Sequence, residues 1–210
     1  MHISEGFLSA PALAAGWVIS GAGVAWGLKK MDSDKIVKVS MASSVFFLAS
    51  LVNVKLGPSS THLSLIGPIG LILGWTSYPA IFTALLLQAV LFQFGGLLVL
   101  GANTVSMATP AVCAYLIFGH AVRSCNASLS AAASFAAGFL AVLTSALLVG
   151  IWLSVSDPGM KLTAHTIFAA HIPLAAVEGA TALFMTLFLK RTFPDMLAGM
   201  DKEVIGVDHK

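Results

Sequence analysis

The first two residues, Met1 and His2, bring three nitrogen donors together: the terminal amine, the His2 amide and the His2 imidazole. Around one ion they close two fused chelate rings. Ni²⁺ and Cu²⁺, which can displace an amide proton, favour such a flat nitrogen set, whereas Zn²⁺ favours a tetrahedron. Three in-plane nitrogens leave one position open, which a second imidazole can fill. The plain alternative is a terminus that frays, as most do. The continuation weighs against fraying, because Ile3-Ser4-Glu5-Gly6-Phe7-Leu8 is a short apolar segment able to carry the terminus back into the protein.

Three further places set polar groups among apolar ones. Gly57-Pro58-Ser59-Ser60-Thr61-His62-Leu63 puts a turn-forming Gly-Pro and small hydroxyls ahead of a histidine that enters an apolar run. This is either an ordinary loop or a site, since an imidazole at membrane depth is uncommon without a partner. Gly95-Gly96 precedes Gly101-Ala102-Asn103-Thr104. Asn103 suits a helix N-cap, or a hydrogen bond that orients a ligating imidazole. Gln88 and Gln93, just before it, read as interhelical hydrogen-bond partners. In His171-Ile172-Pro173-Leu174-Ala175-Ala176-Val177-Glu178-Gly179, His171 and Glu178 stand seven apart and share a helix face. Glu178 is a carboxylate inside an apolar span, either functional or a structural partner for the histidine. His165 and His120 read as structural, and His209 as solvated in a polar tail.

Composition says what must position these groups. Of 210 residues, 58% are hydrophobic and only 10% charged, against about 25% charged in a soluble domain. The chain is therefore expected to be an integral membrane protein of the cell membrane. A net charge of +2 and two cysteines, Cys113 and Cys125, leave no case for nucleic-acid binding or a disulfide scaffold, and the apolar content excludes disorder. One domain is expected over residues 1–192, with a polar cytoplasmic tail over 193–210.

A crossing takes about 20 apolar residues, and the gaps between charges predict an all-α bundle of seven spans: Ser9–Leu28, Val37–Val54, Thr61–Gly74, Ala80–Leu100, Thr104–Ala121, Leu129–Val155 and Thr163–Leu189. The third is short and carries Gly67, Pro68 and Gly70, so it is either a broken helix lining protein or no crossing at all, which would make the count six. With the N-terminus outside, nine of the eleven Lys and Arg residues fall on inner segments, and only Lys55 and Lys161 fall outside. That is the positive-inside pattern. The first span lacks a basic leader before it and reads as a retained helix. Its small residues Ala12, Gly16, Ser20, Gly23 and Gly27 suit close helix contact, either with a partner or inside the bundle. The basic stretch Lys29 to Lys38 reads as a topology signal.

At this point the chain resembles the CbiM/NikM family. The resemblance is carried by Met1-His2-Ile3-Ser4-Glu5-Gly6-Phe7-Leu8, the His62 loop, Leu100-Gly101-Ala102-Asn103-Thr104 with Met107, and His171-Ile172-Pro173-Leu174 with Glu178-Gly179, in order over about residues 1–190. That family supplies the substrate-capture (S) components of energy-coupling factor (ECF) transporters for cobalt and nickel. The resemblance implies a seven-helix fold with an outer N-terminus inserted into the bundle. It implies a metal held by the Met1 amine, the His2 amide nitrogen and imidazole, and His62; Ser60, Asn103, His171 and Glu178 are the residues expected to support that site. The ion is Co²⁺ or Ni²⁺ as transported substrate, for cobalamin synthesis or nickel enzymes, with no organic cofactor. Many cobalt-assigned members carry a Ser-His-Pro-Thr-Gly type loop where this chain has Ser60-Thr61-His62-Leu63-Ser64, which leaves both metals open.

The chain has no Gly-rich nucleotide loop followed by Lys-Ser/Thr, so it is not expected to hydrolyse ATP. The implied partners are a membrane coupling subunit (T component) and two cytoplasmic ABC ATPase subunits, with or without a small accessory membrane subunit, within the lipid bilayer. No His-Glu-x-x-His or comparable catalytic set argues for an enzyme. A secondary transporter or channel is the alternative, but it would want a charged path and internal repeats.

Overall fold

The computed structural model describes residues 2–51, 53–56, 59–193 and 196, with backbone alone for residues 34, 53–56 and 59–61. Met1, the Gly57-Pro58 turn and nearly all of the expected tail over 193–210, His209 included, lie outside the described residues. In chain order the described elements are β1 (His2–Ile3), α1 (Ala10–Lys29), α2 (Ser33–Ala49), β2 (Asn53–Leu56), β3 (Ser59–His62), α3 (Ile66–Leu73), α4 (Ser77–Phe92), α5 (Leu100–Val122), α6 (Ala127–Ser156) and α7 (Lys161–Thr192).

Local chemistry accounts for the starts and stops. Pro11 sits in the first turn of α1, where its fixed φ suits a helix and its missing N–H costs nothing. The Asp32 carboxylate accepts the Lys35 N–H at 2.9 Å and caps α2. The Asn126 side chain accepts from Ser128 and Leu129 and caps α6. α4 ends where Gln93 (φ 56°), Gly95 (φ 77°) and Gly96 (φ 124°) turn left-handed. The expected span Ala80–Leu100 therefore stops eight residues early, and Leu100 opens α5 instead.

Five segments among the described residues are long and apolar enough to cross a membrane: Ala10–Lys29, Ile66–Phe92, Leu100–Val122, Ala127–Ser156 and Pro158–Thr192. The architecture is a polytopic membrane helix bundle. The described residues form seven α-helices, but α2 carries charges through its first turns, and α3 and α4 share one of the five segments. α3 has eight residues, about 12 Å at 1.5 Å each, far short of a bilayer core of about 30 Å. A 3-10 turn at Gly74–Thr76 joins it to α4, with Gly74 at φ 56° against the Tyr115 ring.

α5 lies centrally, touching α1, α3, α4 and α6, while α6 and α7 share the most extensive interface. Lipid supplies no hydrophobic drive between helices, so close contact at small residues has to bind them. A Cβ on Gly16 would come within 2.7 Å of the Ala102 nitrogen, one on Gly67 within 2.6 Å of Gly138, and one on Gly70 would strike the Ala111 carbonyl. The α1 stripe is thus spent inside the bundle: Ala12, Gly16, Ser20 and Gly27 are buried, and Gly23 lies on the Tyr78 ring. Trp17, Val18, Ile19 and Trp26 point outward instead.

The three strands form an antiparallel sheet in the order β1-β3-β2. This sheet is an addition to the all-α expectation, too short to leave a periodic signal. β1 pairs His2 with Ser60 and Ile3 with Ser59, and β2 pairs Asn53 with His62.

Candidate metal-binding site

The N-terminal strand is held inside the protein by an amide clamp. Asn103 Oδ1 accepts the Ile3 N–H at 2.8 Å, and Asn103 Nδ2 donates to the Ile3 carbonyl at 3.1 Å. Asn103 lies in the first turn of α5 rather than at its N-cap, which is Val99. It orients the backbone next to a candidate ligand, not the imidazole itself. Ile3 is fully buried with Leu8, Ala12, Val99, Ala102, Val149, Leu153 and Ile167. The Glu5 N–H donates to the Gly95 carbonyl at 3.1 Å, and the Glu5 carboxylate accepts the Leu98 N–H at 3.0 Å. The loop passes so close that a Cβ on Gly95 would sit 2.8 Å from Asn103 Nδ2, and one on Gly96 would overlap Glu5. Glycine at φ > 0 is what permits this approach.

β3 delivers the second imidazole. The His2 and His62 rings stack with centroids 4.8 Å apart and planes 26° apart, and Phe46 meets His62 edge-on at 6.1 Å. Both imidazoles are buried, at 2% and 3% exposure, and lie outside the five apolar segments. Burial holds each well below the usual histidine pKa, and the His2 charge adds to the effect on His62. Both are therefore neutral at neutral pH, the state that binds metal. His62 Nδ1 lies 3.1 Å from the Leu63 carbonyl. A carbonyl only accepts, so Nδ1 carries the proton and Nε2 the lone pair. Among the described residues that Nε2 is buried without a hydrogen-bond partner, as are His2 Nε2 and His171 Nε2. Buried polar atoms are nearly always paired, so three orphaned imidazole nitrogens mark this end of the bundle. A chelate of His2 with its own amide nitrogen closes through Nδ1, so the bare His62 Nε2 is the donor suited to a fourth position.

Glu178 acts one step further out. Its carboxylate accepts the Ser64 N–H, the Ser64 hydroxyl at 2.8 Å and the Leu65 N–H at 3.0 Å. Leu65 is the N-cap of α3, stands at φ 54° and brings no capping side chain. Glu178 therefore caps α3 from across the bundle and fixes the chain two residues past His62. His171 does not bond Glu178; its Nδ1–H donates to the Ile167 carbonyl at 2.7 Å. Ser60 lies opposite His2 in the sheet through its backbone. Gln88 does donate across to Ser50, the C-cap of α2, as expected, while Gln93 ends α4 in the left-handed region. His165 and His120 are exposed, and the His165 ring bonds the Lys161 carbonyl. Among the described residues, no three His, Cys, Asp or Glu side chains group closely enough to hold an ion. The Glu178 clasp and the Glu5–Gly96 contact escaped sequence reading, though Gly95-Gly96 was a legible signal of close approach.

Residues 2–196 match the family described as "Cobalt uptake substrate-specific transmembrane region". The chain belongs to that family. A candidate metal transport protein of Haemophilus influenzae is 34% identical over 199 residues, covering 94% of this chain and 97% of its own. The fused nickel transport protein NikMN of Rhodobacter capsulatus is 29% identical over 229 residues, covering 94% of this chain and 64% of its own. The chain spans 37% to 68% of the length of the fused relatives it matches. The crystal structure of a truncated transition metal transporter matches with a TM-score of 0.76 at 23% identity, over 91% of this chain and 99% of that one, a likeness of fold. Membership makes this a multi-pass membrane component of a transport system rather than an enzyme.

Proposed function

We propose that this chain is the substrate-specific membrane component of an ECF-type ABC importer, capturing Co²⁺ or Ni²⁺ on the outer side for uptake. The observation that carries the reading is the stacked pair of buried, neutral imidazoles, His2 and His62, on a terminal strand that Asn103 clamps into the bundle. The ion is held by the Met1 amine, the His2 amide nitrogen and imidazole, and His62. Asn103 and Glu178 fix the two backbones that carry the rings, while Ser60 and His171 flank them. Four nitrogens in a plane suit low-spin Ni²⁺ and can also hold Co²⁺.

The bundle crosses the membrane seven times, α3 counting as a short inward leg and α4 as the return, with the N-terminus outside and the C-terminus in the cytoplasm. The concentration of Lys and Arg at the end of the bundle away from β1 supports this orientation. Energy comes from two cytoplasmic ABC ATPase subunits through a membrane coupling subunit, with a small accessory membrane subunit as a further partner. Relatives named as fused transport proteins support assembly with other subunits.

The test is metal content by elemental analysis of protein purified with its native start. One Ni²⁺ or Co²⁺ per chain is expected, and a single residue added before Met1 should abolish binding by removing the amine from its chelate ring. Stoichiometric, tight binding by the extended protein would sink the site.

A further inference from the structure

We propose that His171 is an exchange ligand: its Nε2 takes over the fourth position on the metal from His62 when the ion leaves the capture geometry. The inference rests on the capture reading above and adds a donor that capture does not use. Position comes first. One turn before His171, Ile167 shares a buried cluster with Ile3, the residue after His2. Two turns past it, Glu178 holds Ser64 and Leu65, just after His62. His171 stands on α7 between these two anchors.

The nitrogen is also prepared to bind. The His171 ring is 1% exposed, and its Nδ1–H is committed to the Ile167 carbonyl. The lone pair is therefore on Nε2, which is buried without a partner among the described residues. A nitrogen left in that state needs a reason, and neither Glu178 nor Asn103 supplies one. His2, His62 and His171 do not form a three-side-chain cluster able to hold one ion together. Simultaneous ligation by all three is thus set aside, and succession remains. Flat four-coordinate ions exchange ligands through an entering donor. Here the His171 Nε2–metal bond forms as the His62 Nε2–metal bond breaks, and both rings stay neutral, so no proton or electron moves.

Cu²⁺ is the probe, added to full-length protein with its native start, read by paramagnetic resonance and by the visible band that reports how many nitrogens bind. The variants are His62→Ala, His171→Phe and both together. Wild type and His171→Phe should give the same four-nitrogen spectrum. His62→Ala should keep four nitrogens, and the double variant should show three, with affinity lower than His62→Ala by on the order of tenfold. Phe keeps the ring volume without a donor; His171→Ala serves in the same comparison if the Phe variant is not recovered. A three-nitrogen spectrum in His62→Ala, a changed spectrum in His171→Phe, or four nitrogens in the double variant would each overturn the exchange role. Absence of Cu²⁺ and Ni²⁺ binding in wild type would instead overturn the capture reading itself.

Discussion

Of the two stacked imidazoles, only His2 adjoins the terminal nitrogens in sequence. In the proposed site it closes a chelate ring, whereas His62 would reach the ion from another strand with one nitrogen. His2→Ala should therefore abolish tight binding and His62→Ala should only weaken it, with both proteins reaching the membrane in normal amounts. Metal content beside membrane abundance checks this; wild-type binding by His62→Ala would remove it from the ligand set. The same rings make the metal-free protein sensitive to acid. Their folded-state pKa values lie below the free value of about 6.5. The unfolded chain then binds more protons as pH falls through that value. Stability present above about pH 6.5 is progressively lost below it. Metal-free protein should melt at a lower temperature at about pH 5 than at about pH 7.5, and a His2→Ala/His62→Ala variant should lose most of that dependence. Equal melting of the native chain at both would contradict buried neutral rings. Histidines, Asn103 and Glu178 were legible in the sequence because polar groups are rare in so apolar a chain. Their roles were less legible, because Asn103 and Glu178 act on backbone groups 100 or more positions away.

The elements that carry the site are the ones a sequence conceals best. β1 has two residues and α3 eight, too few for a period, and their pairing depends on partners distant in the chain. The long helices α1, α6 and α7, by contrast, fall within a few residues of the expected spans, since their limits follow from charges and caps. α3 runs unbroken through Gly67, Pro68 and Gly70, and the irregular backbone lies before it, where Glu178 satisfies the Ser64 and Leu65 N–H groups that a helix starting inside a bundle would leave bare. β1 depends likewise on Asn103, which spends both ends of its amide on Ile3. Asn103→Ala leaves a buried N–H and C=O unpaired, at a cost of about 1–3 kcal/mol each. That cost falls on docking of the strand rather than on the bundle. Metal affinity should drop about 10–100-fold, the range seen when a ligand's support is removed, while abundance in the membrane changes little. Isothermal titration with Ni²⁺ against quantified protein separates the two; unchanged affinity would mean that the strand holds its place without the clamp.

At the scale of the whole molecule, the site and most of the basic residues occupy opposite ends. β1 and the start of α1 lie near the end of α6, where Ser9 meets Ser156. At the other end Lys190 donates to the Val122 and Ser124 carbonyls, Trp26 packs on Trp75, and Gly74 meets Tyr115. This polarity lets one label test the orientation. Cys125 is exposed in the α5–α6 connection, between Arg123 and the Asn126 cap. Cys113 lies inside α5 and is only partly accessible. If the basic end faces the cytoplasm, a membrane-impermeant maleimide added to intact cells should leave Cys125 unmodified. The same reagent should label it in inverted vesicles or after permeabilisation, and Cys125→Ser should remove the signal. Labelling of Cys125 in intact cells would place the basic end outside and the histidine pair inside, where capture for uptake could not occur.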